Sequence, residues 1–360
     1  MRIVQVIDSL ETGGAERIAV NYANALSRNI EFSGLVATRA EGSLKAQIDT
    51  SVDYVFLKKT RTVDFKAAFR LRDYCKTNRI DYIHAHSTSY FLGLMVRMLY
   101  PKVKLIWHDH NGMSEYLETT KAVPVNIASI FFKGIIVVNN QLKIWAERKL
   151  HCNHVIYIPN FTEEEKNIKT ETILKGTAGK QILSLANLRE QKNHFFLLDV
   201  ATMMKKSHPD WTFHLVGKDF QDDYSREIRD LVVNMKLEET VFIYGSRNDI
   251  AAIISQAEIA ILTSKSEGLP VALLEYGLYK KPVVITSVGE VPLIIQDAKN
   301  GYIVPNDRQE LFYDALVGLI ENEDLRHSFG AEIYKTIAEN YSEEAAIGRY
   351  LEWIETLKNA

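Results

Sequence analysis

The stretch from Ser264 to Thr286, SKSEGLPVALLEYGLYKKPVVIT, holds two acidic residues in a setting that suits chemistry. Glu267 lies in a loop beside Gly268, and Glu275 follows with seven residues between them. Pro270 takes a favoured first helical position, and VALLEYGLYKK is expected to be a helix ending near Lys281 and Pro282. The carboxylate and the backbone N–H groups of Gly268 and Leu269 then meet at a helix N-terminus, where an anion is stabilised. Glu275 is expected about two turns further along a similar face. Such a pair suits one extended ligand with hydroxyl groups at both ends and negative charge between, which describes a nucleotide-sugar. Most surface carboxylates only keep a chain soluble. Glu267 differs because it interrupts an apolar strand-loop-helix-strand unit, and Glu275 because it stands beside Leu273 and Leu274.

Further groups fall at predicted strand ends. Asn187-Leu188-Arg189-Glu190-Gln191-Lys192-Asn193 follows the strand QILSLAN, so Arg189 and Lys192 are cations at a strand-to-helix turn, placed to pair with a diphosphate. Gly289-Glu290-Val291-Pro292 is a second loop-to-helix turn suited to phosphate or sugar. Near the N-terminus, Gly13-Gly14-Ala15-Glu16 opens a helix after the first strand. Its glycines let backbone approach a ligand, although a plain strand-helix turn has the same composition. The spacing G-x-G-x-x-G is absent, which disfavours a dehydrogenase. His84-Ala85-His86 and His108-Asp109-His110 each end a strand, and alternate positions share a face. Either pair can hydrogen-bond a substrate or ligate a metal. A third convincing ligand is not evident, so no metal is expected.

These groups need strands and helices to hold them. β-branched runs alternate with helical patterns from Arg2 to Asn160 and again from Gln181 onward, which specifies parallel sheets covered by helices. The expected fold is α/β, with two doubly wound, Rossmann-like domains facing across a cleft. The N-terminal domain is placed at 1–162, a linker at 163–180, and the C-terminal domain at 181–340. A helical tail from Asp324 to Leu357 ends in a segment, 341–360, expected to pack back on the first domain. Composition is that of a folded protein, with 46% hydrophobic and 25% charged residues. Cys75 and Cys152 give neither a disulfide framework nor a zinc spacing, so a reducing cytoplasm is expected. Asp8 interrupts what would be the core of a signal peptide, and no apolar run approaches the ~20 residues of a membrane span. Residues 1–162 carry 21 Lys and Arg against 14 Asp and Glu, and the remainder 22 against 32. A basic half without a nucleic-acid motif suits a small anionic partner or an acidic membrane surface.

Glu267-Gly268-Leu269-Pro270, Glu275 and Lys281-Pro282-Val283-Val284, with the Arg/Lys turn, Gly289 and Asn300-Gly301, resemble the donor half of the family 4 glycosyltransferases. Gly13-Gly14-Ala15-Glu16, the two histidine strands and Ile158-Pro159-Asn160 are similar to the acceptor half. The resemblance spans nearly the whole chain. It implies a GT-B fold, retention of anomeric configuration and no divalent metal or other cofactor. It also implies that Glu267 contacts hydroxyls of the transferred sugar, Glu275 the ribose and Lys192 the diphosphate. His110 lies where the family often has a histidine at the sugar centre, with His108 the alternative; His86 and the Gly13-Gly14-Glu16 turn fall on the acceptor side. Two positions depart from the pattern. Asn187 replaces the usual arginine, so Arg189 must act from a shifted position, and Glu290 replaces a second glycine.

The implied partners are a nucleotide-diphosphate sugar, with UDP-sugars favoured, and a saccharide or polyprenyl-diphosphate-linked saccharide of bacterial surface-polysaccharide assembly. Peripheral contact with the inner face of the membrane is expected through the basic N-terminal domain, and no nucleic acid. A nucleotide-sugar epimerase and a non-catalytic glycosyltransferase-like partner are the alternatives. Trp107, Met113 and Tyr116 are further candidates for saccharide contact.

Overall fold

The structure, a computed structural model, describes residues 1–110, 123–161 and 169–359. The chain divides into two compact units, Met1–Phe161 with Glu343–Ala360, and Thr162–Ser342. Met113, Tyr116 and the linker positions 163–168 lie outside the described residues.

The first unit runs β1 (Arg2–Ser9), α1 (Gly14–Ser27), β2 (Phe32–Ala40), β3 (Asp53–Phe56), α2 (Phe65–Thr77), β4 (Tyr82–His86), α3 (Tyr90–Leu99), β5 (Lys104–Asp109), α4 (Val123–Ala128), β6 (Phe132–Val137), α5 (Asn140–Lys149) and β7 (Val155–Tyr157). Its strands lie in the order β3-β2-β1-β4-β5-β6-β7, each pair parallel. Alternation along the strands splits the apolar residues between two faces. Val4 and Val6 join one core with Leu71, Leu92 and Trp145, whereas Ile7 joins the opposite core with Ala19 and Ala23 of α1. Between β2 and β3 the chain forms only a short 3-10 turn, Ser43–Gln47. It buries Leu44 alone and so has no apolar stripe to extend it. Helix α5 gives a weak pattern in sequence for a related reason: it buries only Leu142, Trp145 and Ala146, and the side chain of Asn139 caps its start by accepting from Leu142 N at 2.7 Å.

The second unit runs β8 (Gln181–Leu185), α6 (His194–Ser207), β9 (Thr212–Val216), α7 (Asp223–Asn234), β10 (Val241–Gly245), α8 (Ile250–Gln256), β11 (Ile259–Leu262), α9 (Val271–Leu278), β12 (Val283–Thr286), α10 (Val291–Ile294), β13 (Tyr302–Val304), α11 (Gln309–Glu321) and α12 (Glu323–Asn340). Its order is β10-β9-β8-β11-β12-β13, again all parallel. Residues 169–180, placed in the linker by their polarity, are tied to this unit instead. Asp249 accepts from the backbone of Glu171 and Thr172 at 2.8 and 2.6 Å, and Leu174 is buried.

The helical tail comprises two helices. Helix α12 ends where Tyr341 packs into the second unit's core, and α13 (Glu343–Asn359) belongs to the first unit. There Arg28 forms a two-pronged ion pair with Glu343 at 2.7 Å, and the Trp353 ring lies where a side chain at Gly134 would stand.

Candidate functional site

In an open parallel sheet, ligands gather beyond the strand ends where the strand order reverses. That reversal falls between β8 and β11 in the second unit. The loop after β8 carries Arg189 and Lys192, and the loop after β11 carries Glu267. The two loops are laced together: Thr263 Oγ1 donates to Lys192 O at 3.0 Å and to Asn193 O at 3.3 Å, and Lys265 N donates to Gln191 O at 2.8 Å. Asn193 adopts the left-handed region, φ 55°, which turns the chain from the Lys192 turn into α6. The outcome is an ion pair between Lys192 Nζ and Glu267 Oε1, with side chains 18% and 9% exposed. Ser264 Oγ donates to the same carboxylate oxygen at 2.6 Å.

A third loop presses on Glu267 from β12. Gly289 has φ 53°, and a Cβ there would run into the carbonyl oxygens of Glu267 and Gly268. Glu290 N donates to Gly268 O at 2.9 Å, so the residue that replaces the expected glycine helps to fix the Glu267 loop through its backbone.

Two sequence expectations here are corrected. Pro270 is the extended residue before α9 (ψ 120°), not its first helical residue, and α9 ends at Leu278 instead of near Lys281. Lys280 turns left-handed, and Lys281 Nζ donates to Ser255 O at 3.0 Å and Ala257 O at 2.6 Å, beyond the reach of a continuing helix. Glu275 is therefore in the second turn of α9, and half of its separation from Glu267 is loop. Its neighbour Tyr276 is fully buried and accepts from Leu185 N at 2.6 Å, which bolts α9 to β8 and places Glu275. Leu269 is also buried and anchors the loop.

Asn187 and Arg189 have separate tasks. Asn187 Oδ1 accepts from Lys218 N at 2.7 Å, joining the loops that follow β8 and β9. Arg189 is exposed and lies over the Phe220 ring at 4.5 Å, with Lys218 Nζ 5.1 Å from the same ring. Lys218 is thus a third cation near this turn, and nothing in its local sequence beyond the preceding Gly217 marked it. Ser264 and Thr263 were equally silent, because a hydroxyl residue in a loop has no distinctive spacing.

In the first unit, β4 and β5 pair so that His86 stands opposite His108. The two histidine motifs, separate in sequence, form one cluster. His84 Nε2 is 3.1 Å from His108 Nδ1, His86 Nδ1 is 2.8 Å from His110 Nε2, and His86 Nε2 is 2.8 Å from Gln5 Oε1. Tyr350 of α13 reaches His84 Nδ1 at 3.3 Å, and the Tyr22 ring packs edge-on to His84 and His108. One ring nitrogen each from His84, His86 and His108 lies within 4.8 Å of the others, so the third metal-spaced ligand not evident in sequence comes from strand pairing. Here His84 and His86 are engaged with imidazole, Gln5 and Tyr350. Burial pushes His84, His86 and His108 well below the ordinary imidazole range, and neighbouring imidazoles push in the same direction. His110 is pushed down to about 3, also by burial. His108 is 1% exposed, while His110 is half-buried, so His110 is the histidine that can meet a ligand.

The N-terminal turn and Trp107 differ from expectation. Gly13 is extended (φ −166°) and precedes α1, and the Glu16 carboxylate folds back over it; a side chain at Gly13 would meet that carboxylate. A carboxylate therefore sits over the turn whose glycines were expected to let backbone approach a ligand. Trp107 is buried between Tyr90 and Phe132 and donates to Ser87 O at 2.9 Å, which removes it as a saccharide contact.

Residues 12–166 match the family model Glycosyltransferase Family 4, and residues 165–336 match Glycosyl transferases group 1. The chain belongs to this glycosyltransferase family. It is 23% identical to the UDP-Gal:alpha-D-GlcNAc-diphosphoundecaprenol alpha-1,3-galactosyltransferase of Escherichia coli, over 87% of this chain and 86% of that one. It is 24% identical to the amylovoran biosynthesis glycosyltransferase AmsD of Erwinia amylovora, over 94% and 95%. Among solved structures it is similar to Anabaena HepE in complex with UDP and glucose, with a TM-score of 0.81, 17% identity and 99% of both chains covered. The fold is GT-B, with two Rossmann-like units, and the protein is a glycosyltransferase.

Proposed function

We propose that this glycosyltransferase takes a sugar from a nucleotide-diphosphate donor, with UDP-sugars favoured, and passes it with retention of configuration to a saccharide or polyprenyl-diphosphate-linked saccharide of bacterial surface-polysaccharide assembly. The observation that carries the reading is the Lys192–Glu267 pair at the strand reversal of the second unit. A donor offers each partner a substitute: a diphosphate for the ammonium and sugar hydroxyls for the carboxylate. The relatives' names support the donor and acceptor classes, since one uses UDP-galactose with a diphosphoundecaprenol-linked acceptor and another serves amylovoran synthesis.

In this proposal the sugar–phosphate bond breaks through an oxocarbenium-like state while negative charge grows on the departing diphosphate. Lys192, Arg189 and the N–H groups of Gly268 and Leu269 stabilise that charge in place. Glu275 holds the ribose, and His110 contacts the transferred sugar. A diphosphate oxygen takes the acceptor's proton on the same face, so a metal ion and a protein base are not required. Incubation with a panel of UDP- and GDP-sugars, with and without lipid-linked acceptors, should release nucleotide diphosphate. Silence across the panel from well-folded protein would defeat the reading.

Membrane contact is part of the same proposal. No helix among the described residues is long and apolar enough to cross a membrane. However, Ile127, Ile130 and Phe131 on and just after α4 are 59%, 62% and 44% exposed. Asn126 holds this segment to Lys149 at the end of α5, whose last turn carries Arg148 and Lys149. Exposed apolar groups beside cations suit an anionic bilayer surface. Ile130→Glu should abolish sedimentation with anionic vesicles while nucleotide release persists.

A further inference from the structure

The histidine cluster contains two hydrogen-bonded chains, and only one of them leads to a group that can meet a ligand. The chain Tyr350–His84–His108 ends at His108, buried, with Nε2 unpartnered among the described residues. The chain Gln5–His86–His110 ends at the half-buried His110. We infer that Gln5 and His86 are positioning residues that fix which ring nitrogen of His110 carries hydrogen. The inference rests on the proposed contact between His110 and the transferred sugar.

At the buried end of this chain, Gln5 and His86 are both 0% exposed. With its carbonyl oxygen on His86, Gln5 leaves its Nε2 buried without a hydrogen-bond partner among the described residues, so the amide is a costly choice at a place where an apolar side chain would serve packing better. The Gln5 carbonyl oxygen can only accept, so His86 carries its hydrogen on Nε2. Burial keeps His86 neutral, which leaves Nδ1 as a lone pair. That lone pair, 2.8 Å from His110 Nε2, takes the hydrogen of His110 on that atom. Neutral His110 then presents Nδ1 as an acceptor, suited to a sugar hydroxyl. The rings of His86 and His110 are also nearly parallel, 16° apart, so orientation and tautomer are fixed together. The sense of the chain depends on the Gln5 amide: turned end for end, it would reverse both bonds and place the His110 hydrogen on Nδ1.

Nitrogen-15 histidine spectra of the full chain at neutral pH read the tautomer directly, with His110→Gln identifying the His110 signals. The expected result is a single Nε2-protonated His110 in the unmodified protein. In Gln5→Met, which keeps bulk but removes the acceptor, the two tautomers should mix. The same variant should lower kcat by about tenfold with donor KM within about twofold, because the orientation of a sugar contact is lost rather than donor affinity. His86→Gln, whose amide can still accept from His110, should restore more of the rate than His86→Leu. Melting curves establish that each variant is folded. Nδ1-protonated His110 in the unmodified protein, or a Gln5→Met variant with unchanged tautomer, overturns the inference. If no donor is turned over at all, the functional reading falls while the spectra still decide the relay.

Discussion

The Lys192–Glu267 pair ties the candidate donor site to stability. Both side chains are largely buried, so removing one strands the other's charge in a poorly solvated place. Lys192→Met and Glu267→Gln should each lower nucleotide release by about a hundredfold or more, in keeping with the ~2–4 kcal/mol attributed to a lost charge-stabilising group. Their effects on melting should not add. A double-mutant cycle should give a coupling of about 1–3 kcal/mol, and strict additivity would mean that the pair does not form in solution. Asn187 is a contrasting case, because its amide serves the Lys218 backbone. Asn187→Ala should cost about 1 kcal/mol of stability with little change in donor KM. Glu267 was readable as a candidate site residue from its Glu-Gly-Leu-Pro context. Its partner was not, because Lys192 lies on a different strand's loop and only the β8–β11 pairing brings them together.

Three loops, after β8, β11 and β12, form one interlocked element around Glu267, and Gly289 is where the fit is tightest. Gly289→Ala adds a Cβ in the left-handed region and drives it into two carbonyl oxygens. The backbone penalty of about 1–2 kcal/mol and the collision should combine to lower the melting temperature by several degrees and displace Glu267, so that nucleotide release collapses. Gly14→Ala provides the comparison. Gly14 is the first residue of α1, and a methyl group added there would meet nothing within 4 Å, so alanine should be neutral or slightly stabilising. Equal effects at the two positions in thermal melting would contradict this contrast. The difference was invisible in sequence, where both glycines precede or open a helix. It depends on what the neighbouring loop does.

The first unit's stability should respond to acid through its buried imidazoles. Folded-state pKa values of His84, His86 and His108 lie well below the unfolded value of 6.5, owing to burial. The unfolded chain therefore binds more protons than the folded one as soon as pH drops below 6.5. Stability is fully present above that pH and is lost as pH falls towards the folded pKa values, by about 1.4 kcal/mol per pH unit for each such group. Calorimetry from pH 7.5 to pH 4.5 should show a melting transition that shifts down steeply below pH 6.5. His84→Gln should make that slope shallower, and a flat profile in the unmodified protein would show that the cluster is hydrated. Helix α13 is part of this behaviour because Tyr350 closes one side of the cluster.

Local pattern was enough to reveal the alternation of strands and helices, hence two parallel sheets, because burial on both faces demands apolar strands and amphipathic crossovers. It also singled out Glu267, Lys192 and the histidine pairs, whose residue types carry chemistry wherever they occur. Strand pairing and loop packing decided the rest: that Lys192 meets Glu267, that two histidine motifs form one cluster with Gln5 and Tyr350, and that His110 rather than His108 reaches the surface. Hydrophobic periodicity reports which side of its own strand a residue faces. Which distant side chain waits there is set by sheet order and loop approach, and those exist only once the chain has folded.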